Sequence, residues 1–177
     1  MKKSSVGVSI AVNTGKDHWE RASDLINAGF KHIELYNKVI RVRTEDIPQL
    51  KELAKKKDLT YSFHSMVQDL FCEHLDIANQ EYYTLKGEIK LASLIGCRRV
   101  VFHIYKKIEL SEEEIKSLNE LADYAHSLGV TLAQENNQSS GVMGGLYLST
   151  LGEKVKNLKF CLDVGHLRVA VHKGMIT

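Results

Sequence analysis

Cysteine is scarce and badly placed for cross-linking. Cys72, Cys97 and Cys161 are odd in number, widely spaced and form no C-x-x-C pair. This argues against a disulfide framework and a thiolate zinc site, and fits a reducing cytoplasm. Long apolar runs are also missing. No stretch approaches the roughly 20 apolar residues that span a bilayer, so no membrane partner is expected. Charge of one sign is missing too: 24 Lys and Arg face 22 Asp and Glu, a net charge of +2, interspersed along helix faces. With no basic block, charge gives no pointer to nucleic acid. No G-x-G-x-x-G follows the first apolar run and no Walker-type lysine motif occurs anywhere, which removes the best evidence for a nucleotide-binding open sheet. The start, Met1-Lys2-Lys3 and then Val6 to Val12, is too short for a signal peptide, contains Gly7 and Ser9, and ends in the polar Asn13 to Asp17. It reads as a first strand.

What is present is the make-up of one globular domain over residues 1–177, with 44% hydrophobic and 26% charged side chains. Short β-type runs recur at Val6 to Val12, His32 to Tyr36, Thr60 to His64, Arg99 to Tyr105, Val130 to Asn136 and Leu158 to Asp163. Helical patterns lie between them. The clearest is Glu112 to Leu128, with Ser111 and Glu114 as a capping box, an apolar face of Ile115, Leu118, Leu121, Ala122 and Ala125, and Gly129 as its stop. Others cover Asp17 to Ala28, Thr44 to Lys57 with Pro48 in the first turn, Asn79 to Ile95, and a weaker segment between Gly145 and Val155. Leu167 to Thr177 begins a sixth helix. Strand starts at 6, 32, 60, 99, 130 and 158 are separated by 26, 28, 39, 31 and 28 residues. That spacing predicts parallel strands joined by helical crossovers.

An open sheet and a closed barrel both satisfy that rule, and the polar residues favour the barrel. Glu34, His64, His103, Glu135 and Asp163 fall at successive strand ends, and His166 follows Asp163 by three residues. In a barrel the C-terminal ends of the strands converge on one rim, so residues about thirty apart share one cavity. Imidazoles with carboxylates and no nearby thiolate suit Zn, Mn, Fe or Co. His103 alone, after three apolar residues, would read as a core histidine bonded to backbone; the row of strand ends changes that. His18, His32, His74, His126 and His172 lie on helices, loops or strand starts and read as solvated or capping residues. Trp19 reads as core packing with Ala22 and Ile26. Lys55 to Lys57 read as cations at the negative end of a helix dipole. The polar loop from Asn136 to Gly141 reads equally as a substrate-contacting rim or an ordinary loop.

These residues give the sequence a resemblance to the xylose isomerase-like TIM-barrel superfamily, which holds sugar isomerases and epimerases, inosose dehydratase-type enzymes and endonuclease IV. Its carriers are Gly29-Phe30-Lys31-His32-Ile33-Glu34-Leu35, Phe63-His64, Leu94-Ile95-Gly96-Cys97-Arg98-Arg99-Val100-Val101-Phe102-His103, Gln134-Glu135-Asn136 and Phe160-Cys161-Leu162-Asp163-Val164-Gly165-His166. The resemblance implies an α/β fold, a (β/α)8-type TIM barrel of parallel strands with only the first six units present. It makes Glu135 and Asp163 divalent-metal ligands and Glu135 the catalytic acid/base. It makes Glu34, His64, His103 and His166 substrate-facing in an isomerase, with the three histidines as further zinc ligands in an endonuclease IV-like protein. The intact protein is then expected to be a cytoplasmic, metal-dependent isomerase or epimerase of a small sugar or polyol. The alternative is a zinc phosphodiesterase on abasic-site DNA. Ile104-Tyr105-Lys106 and Asn136-Asn137-Gln138 depart from the patterns that follow the fourth and fifth strands in the group, and weaken the nuclease reading more. The fold ordinarily takes about 250 residues. A six-unit chain is therefore expected to bind metal weakly or not at all, to be inactive alone, and to need a homo-oligomer or a C-terminal segment over its open sheet edges.

Overall fold

The computed structural model describes residues 7–10, 18–72, 75–104, 109–136 and 151–173. Residues 6 and 11–12 of the expected first strand, Asp17, His74, Tyr105 and Lys106, the loop beyond Asn136, the first part of the weak helical segment and the last four residues lie outside it, as do the side chains of His18 and Trp19. Six strands form one sheet: β1 (Gly7–Ser9), β2 (His32–Tyr36), β3 (Thr60–His64), β4 (Arg99–Phe102), β5 (Thr131–Glu135) and β6 (Leu158–Cys161). Every pair is parallel and the order is β1 to β6 without reversal. A doubly wound open sheet reverses its order at a switch point. This order is that of a β/α barrel, as expected from the strand-end residues.

Register then decides which side chains meet. Ser9 pairs with Glu34 and Glu34 with Ser62; Tyr36 pairs with His64 and His64 with Val101; Glu135 pairs with Cys161. Because side chains alternate along a strand, these residues share one face. The opposite face carries Ile33, Leu35, Tyr61, Phe63, Val100, Phe102, Leu132 and Leu158, all buried in the core. Against it pack α4 (Leu75–Ile95), through Leu85, Ile89, Ala92 and Ile95, and α5 (Glu112–Ser127), through Leu118, Leu121, Ala122 and Ala125. Each fully buried large aliphatic contributes about 1.5–3 kcal/mol. The sheet's other face is thereby left to polar chemistry.

Several boundaries differ from those expected, for local reasons. The first two helices of the chain are α1 (His18–Asn27) and a short α2 (Asn37–Ile40) directly after β2. The expected helix from Thr44 begins instead as a 3-10 turn, Thr44–Asp46, and becomes α3 (Ile47–Lys57) with Pro48 in its first turn. Gly96 and Gly129, at φ +96° and +71°, close the helices before β4 and β5. No glycine follows Lys57, and Asp58 takes the left-handed position at φ 54°. α4 starts at Leu75, four residues before the expected Asn79. Ser111 and Glu114 form the expected capping box of α5. Of the weak helical segment, residues 151–154 are helical. β4 ends at Phe102 and β6 at Cys161, so His103 and Asp163 sit just past their strands. Asp163 is the N-cap of α6 (Val164–His172), which starts three residues before the expected Leu167 and places His166 in its first turn.

Candidate functional site

His64 ends β3, His103 follows β4 and Glu135 ends β5, and all three side chains converge. His64 Nε2 lies 3.1 Å from His103 Nε2 and 3.4 Å from Glu135 Oε2, and His103 Nε2 lies 3.3 Å from the same oxygen. On the far side of its ring, His64 Nδ1 is 3.5 Å from Glu34 Oε1, and the Tyr36 ring meets it edge-on with centroids 4.6 Å apart. Glu135 also belongs to a second group. One ligand atom each of Glu135, Asp163 and His166 lie within 4.8 Å of one another, as do those of His64, His103 and Glu135. Glu135 is the residue common to both.

The second group is held by backbone. The Asp163 carboxylate accepts from the His166 backbone N–H at 2.7 Å, the capping bond of α6. Asn136, buried beside Glu135, donates through Nδ2 to the Asp163 carbonyl at 2.9 Å and accepts the Asp163 N–H at 2.6 Å. His166 Nδ1 lies 2.8 Å from the Asn136 carbonyl oxygen. A carbonyl can only accept, so Nδ1 bears a proton, which leaves Nε2 as the nitrogen that can offer a lone pair to a metal or substrate.

Electrostatics set the protonation states. Burial, helped by the neighbouring charges of His64 and His166, pushes His103 down to about 3, so the ring is neutral. Burial also pushes Glu135 up to about 7; Asp163 adds to the rise while His64 and His166 oppose it. For Glu34, burial acts upward but is outweighed by the His64 contact and the Ser9 hydroxyl, leaving its carboxyl below the usual range. For Asp163, burial is likewise outweighed, here by the His166 N–H and ring, and the carboxyl is lowered. Burial and then the charge of Glu135 push the Cys161 thiol to about 11, so no thiolate is offered.

The donor set fits a divalent ion. A four-coordinate ion with ligands at about 2.0–2.1 Å holds adjacent ligand atoms about 3.3–3.4 Å apart. The triangle of His64 Nε2, His103 Nε2 and Glu135 Oε2 has edges of 3.1, 3.4 and 3.3 Å. Without a proton or a cation among them, three lone-pair atoms at such distances repel.

The other five residues singled out from the sequence thus lie around Glu135: His64 and His103 beside it, Glu34 behind His64, and Asp163 and His166 across from them. Asn136 reads in the sequence only as the start of a polar loop, and its role as the tie between β5 and Asp163 has no sequence signal beyond adjacency to Glu135. Tyr36, at the end of β2, reads there only as strand. His32, expected to be solvated or capping, bridges two strands instead, with ring nitrogens 2.8 Å from Thr60 Oγ1 and 3.0 Å from Ser62 Oγ. Its position at a strand start, on the inward face, explains the difference.

Among the described residues no helix is long and apolar enough to cross a membrane. No curated protein sequence matches the chain. Among solved structures, D-psicose 3-epimerase with D-tagatose from Clostridium cellulolyticum H10 is similar at TM-score 0.74 and 18% identity, over 92% of this chain and 64% of that one. D-allulose 3-epimerase from Methylomonas sp. is similar at TM-score 0.73 and 21% identity, again over 92% and 64%. The TTHB071 protein from Thermus thermophilus, soaked with ZnCl2, is similar at TM-score 0.65 and 20% identity, over 92% and 67%. The chain therefore spans a little under two thirds of the length of the two epimerases, and at these identities the likeness is one of fold. The family model described as xylose isomerase-like TIM barrel matches residues 22–174. With that match over most of its length, and six parallel strands in barrel order, the chain belongs to the xylose isomerase-like TIM-barrel family.

Proposed function

We propose that the protein is a metal-dependent isomerase or epimerase that moves a proton on a carbon next to a carbonyl in a small sugar or polyol. The observation that carries this is Glu135, a buried carboxyl at the meeting point of two groups of side chains able to hold a metal ion, and in the metal-free protein burial raises it towards neutrality. A general base works best when its pKa is near the operating pH. The structural neighbours support the substrate class, since they include D-psicose, D-allulose and L-ribulose 3-epimerases. A divalent ion held by His64, His103 and Glu135, or by Glu135, Asp163 and His166, would polarise the substrate carbonyl as a Lewis acid.

The side chains divide the remaining work. Glu135 as carboxylate takes the proton from the carbon, the C–H electron pair passes into the adjacent carbonyl as an enediolate, and Glu135 becomes the neutral acid. Return of that proton to the neighbouring carbon, with the hydroxyl proton passing between the two adjacent oxygens, gives the isomer; delivery of a proton to the original carbon from the opposite face by a second acid gives the epimer. Whichever of the two groups does not hold the ion leaves its histidine, His103 or His166, to hydrogen-bond substrate hydroxyls. Glu34 holds His64 from behind.

Deuterium exchange tests this reading. Incubated in D2O with Mn2+ and D-fructose, the protein should place deuterium on a carbon beside the carbonyl, and Glu135→Gln should abolish that exchange. A second reading, phosphodiester hydrolysis, draws on Glu135 being shared by two groups, an arrangement suited to paired ions. Incision of an abasic-site oligonucleotide with Zn2+, and no exchange into the ketose, would replace the isomerase with the nuclease.

A further inference from the structure

The apolar stripe of α4 carries a charged residue at its most buried stretch. Leu85, Ile89, Ala92 and Ile95 face the core, and Glu88 lies among them at 5% exposure. By helical spacing this position belongs to the core face, where an aliphatic side chain would pack without the desolvation cost of a carboxylate. The carboxylate instead reaches past the sheet to two chain exits. Its Oε1 accepts from Asn37 Nδ2 at 2.6 Å and from the Met66 N–H at 3.1 Å, and its Oε2 accepts from the Ser65 hydroxyl. Asn37 follows Tyr36 directly, and Ser65 and Met66 follow His64 directly.

Two of these partners, Asn37 and Ser65, are themselves locked. Asn37 Oδ1 accepts the Val42 N–H at 2.7 Å, which ties the turn after α2 to the same point. Ser65 Oγ accepts the Val67 N–H at 2.9 Å, and the Ser65 N–H donates to the Val101 carbonyl of β4 at 2.8 Å. Further along, Asp69 forms a bridge with Ile104, next to His103. Ser65, Val67, Leu70 and Phe71 of this connection are all buried. One carboxylate from the helix layer thus gathers the end of β2, which carries Tyr36, and the end of β3, which carries His64, with β4 stitched to the same connection.

We propose that Glu88 is a positioning residue for the His64 arm of the site. Its three accepted hydrogen bonds fix the exits of β2 and β3 in the arrangement that brings His64 Nε2 to His103 and Glu135. This rests on the reading of His64, His103 and Glu135 as metal ligands. Residues that orient ligands from behind typically change metal affinity 10–100-fold when removed.

The test compares wild type, Glu88→Leu, Glu88→Gln and Ser65→Ala by thermal melting, by Co2+ titration, and by the ring NMR signals of His64 and His166 in metal-free protein. Glu88→Leu leaves the Asn37, Ser65 and Met66 donors without their acceptor and is expected to lower the melting temperature, to bind Co2+ at least tenfold more weakly, and to shift or broaden the His64 signals while leaving those of His166 in place. Glu88→Gln should recover most of the affinity, because its carbonyl still accepts from Asn37 and Met66. Ser65→Ala, which leaves α4 untouched, should weaken Co2+ several-fold and serves if Glu88→Leu does not fold. Unchanged Co2+ affinity together with unchanged His64 signals in the folded variants would overturn the inference. If wild type binds no Co2+, the metal reading fails by itself, and the His64 signals alone decide: displaced, they support the positioning role; unmoved, they refute it.

Discussion

His64 Nε2 and His103 Nε2 face each other at 3.1 Å across the ends of two adjacent strands. Two imidazolium rings cannot share that separation in a buried site, and burial holds His103 neutral by pushing it down to about 3. The sign of the consequence follows from linkage. A base whose pKa is depressed on folding favours the unfolded chain once that chain can be protonated, so stability is lost as pH falls below the ordinary histidine value of about 6.5. Replacing His103 by Gln should make the acid side of the stability profile shallower between pH 6.5 and about 3. Urea melts across that range measure it; a slope identical to wild type would remove His103 as its source.

Glu135 has the opposite sign. Its carboxyl is raised by burial from the usual range to about 7, so its favourable contribution to metal-free protein is present at low pH and is lost as pH climbs from about 4.5 to 7. At pH 8 the metal-free Glu135→Gln variant should be more stable than wild type, by up to about 3 kcal/mol. It should also lose Mn2+-dependent exchange. Equal stability at pH 8 would show that the carboxylate is already compensated without metal.

Asn136 carries the geometry of the second group. Its amide makes two bonds to the backbone of Asp163, and its carbonyl accepts from His166. Asn136→Ala removes both side-chain bonds to the part-buried Asp163 backbone and should cost about 1 kcal/mol or more. It should lower exchange activity by more than its effect on melting alone accounts for, because Asp163 and His166 lose their fixed distance to Glu135. A variant that is destabilised but fully active would confine Asn136 to a structural role.

The strand-end row was legible in the sequence because it depends on spacing: a β/α repeat with period near thirty and a polar residue where each strand stops. The inward face of the sheet follows from the same alternation that buries Ile33, Leu35, Phe63 and Phe102 on the other side. What spacing does not encode is which side chain supports which. Glu88 sits 24 residues beyond His64 on a helix whose periodicity assigns it to an apolar stripe, and only tertiary contact shows the carboxylate reaching Ser65. Asp163 reads as a strand end because Phe160-Cys161-Leu162 reads as strand, yet the bond from the His166 N–H to its carboxylate makes it a helix cap. The difference moves the start of α6 by three residues and puts His166 beside Asn136.

Central to the proposed chemistry is a divalent ion held by His64, His103 and Glu135, and these three residues lie wholly within β3 to β5 and the residue after β4. Their three ligand atoms already sit at ion-binding separations, which is the reason to expect binding here against the weak or absent binding that an incomplete rim implies. Titration of the purified chain with Co2+ at pH 8, read by visible absorption, tests this most directly. The expected result is a saturable site with the intense visible bands of a four-coordinate ion, weakened at least tenfold by His103→Ala and weakening again as pH falls below about 7, where Glu135 takes up its proton. No saturable binding at pH 8, or binding that survives His64→Ala, His103→Ala and Glu135→Gln alike, would contradict it.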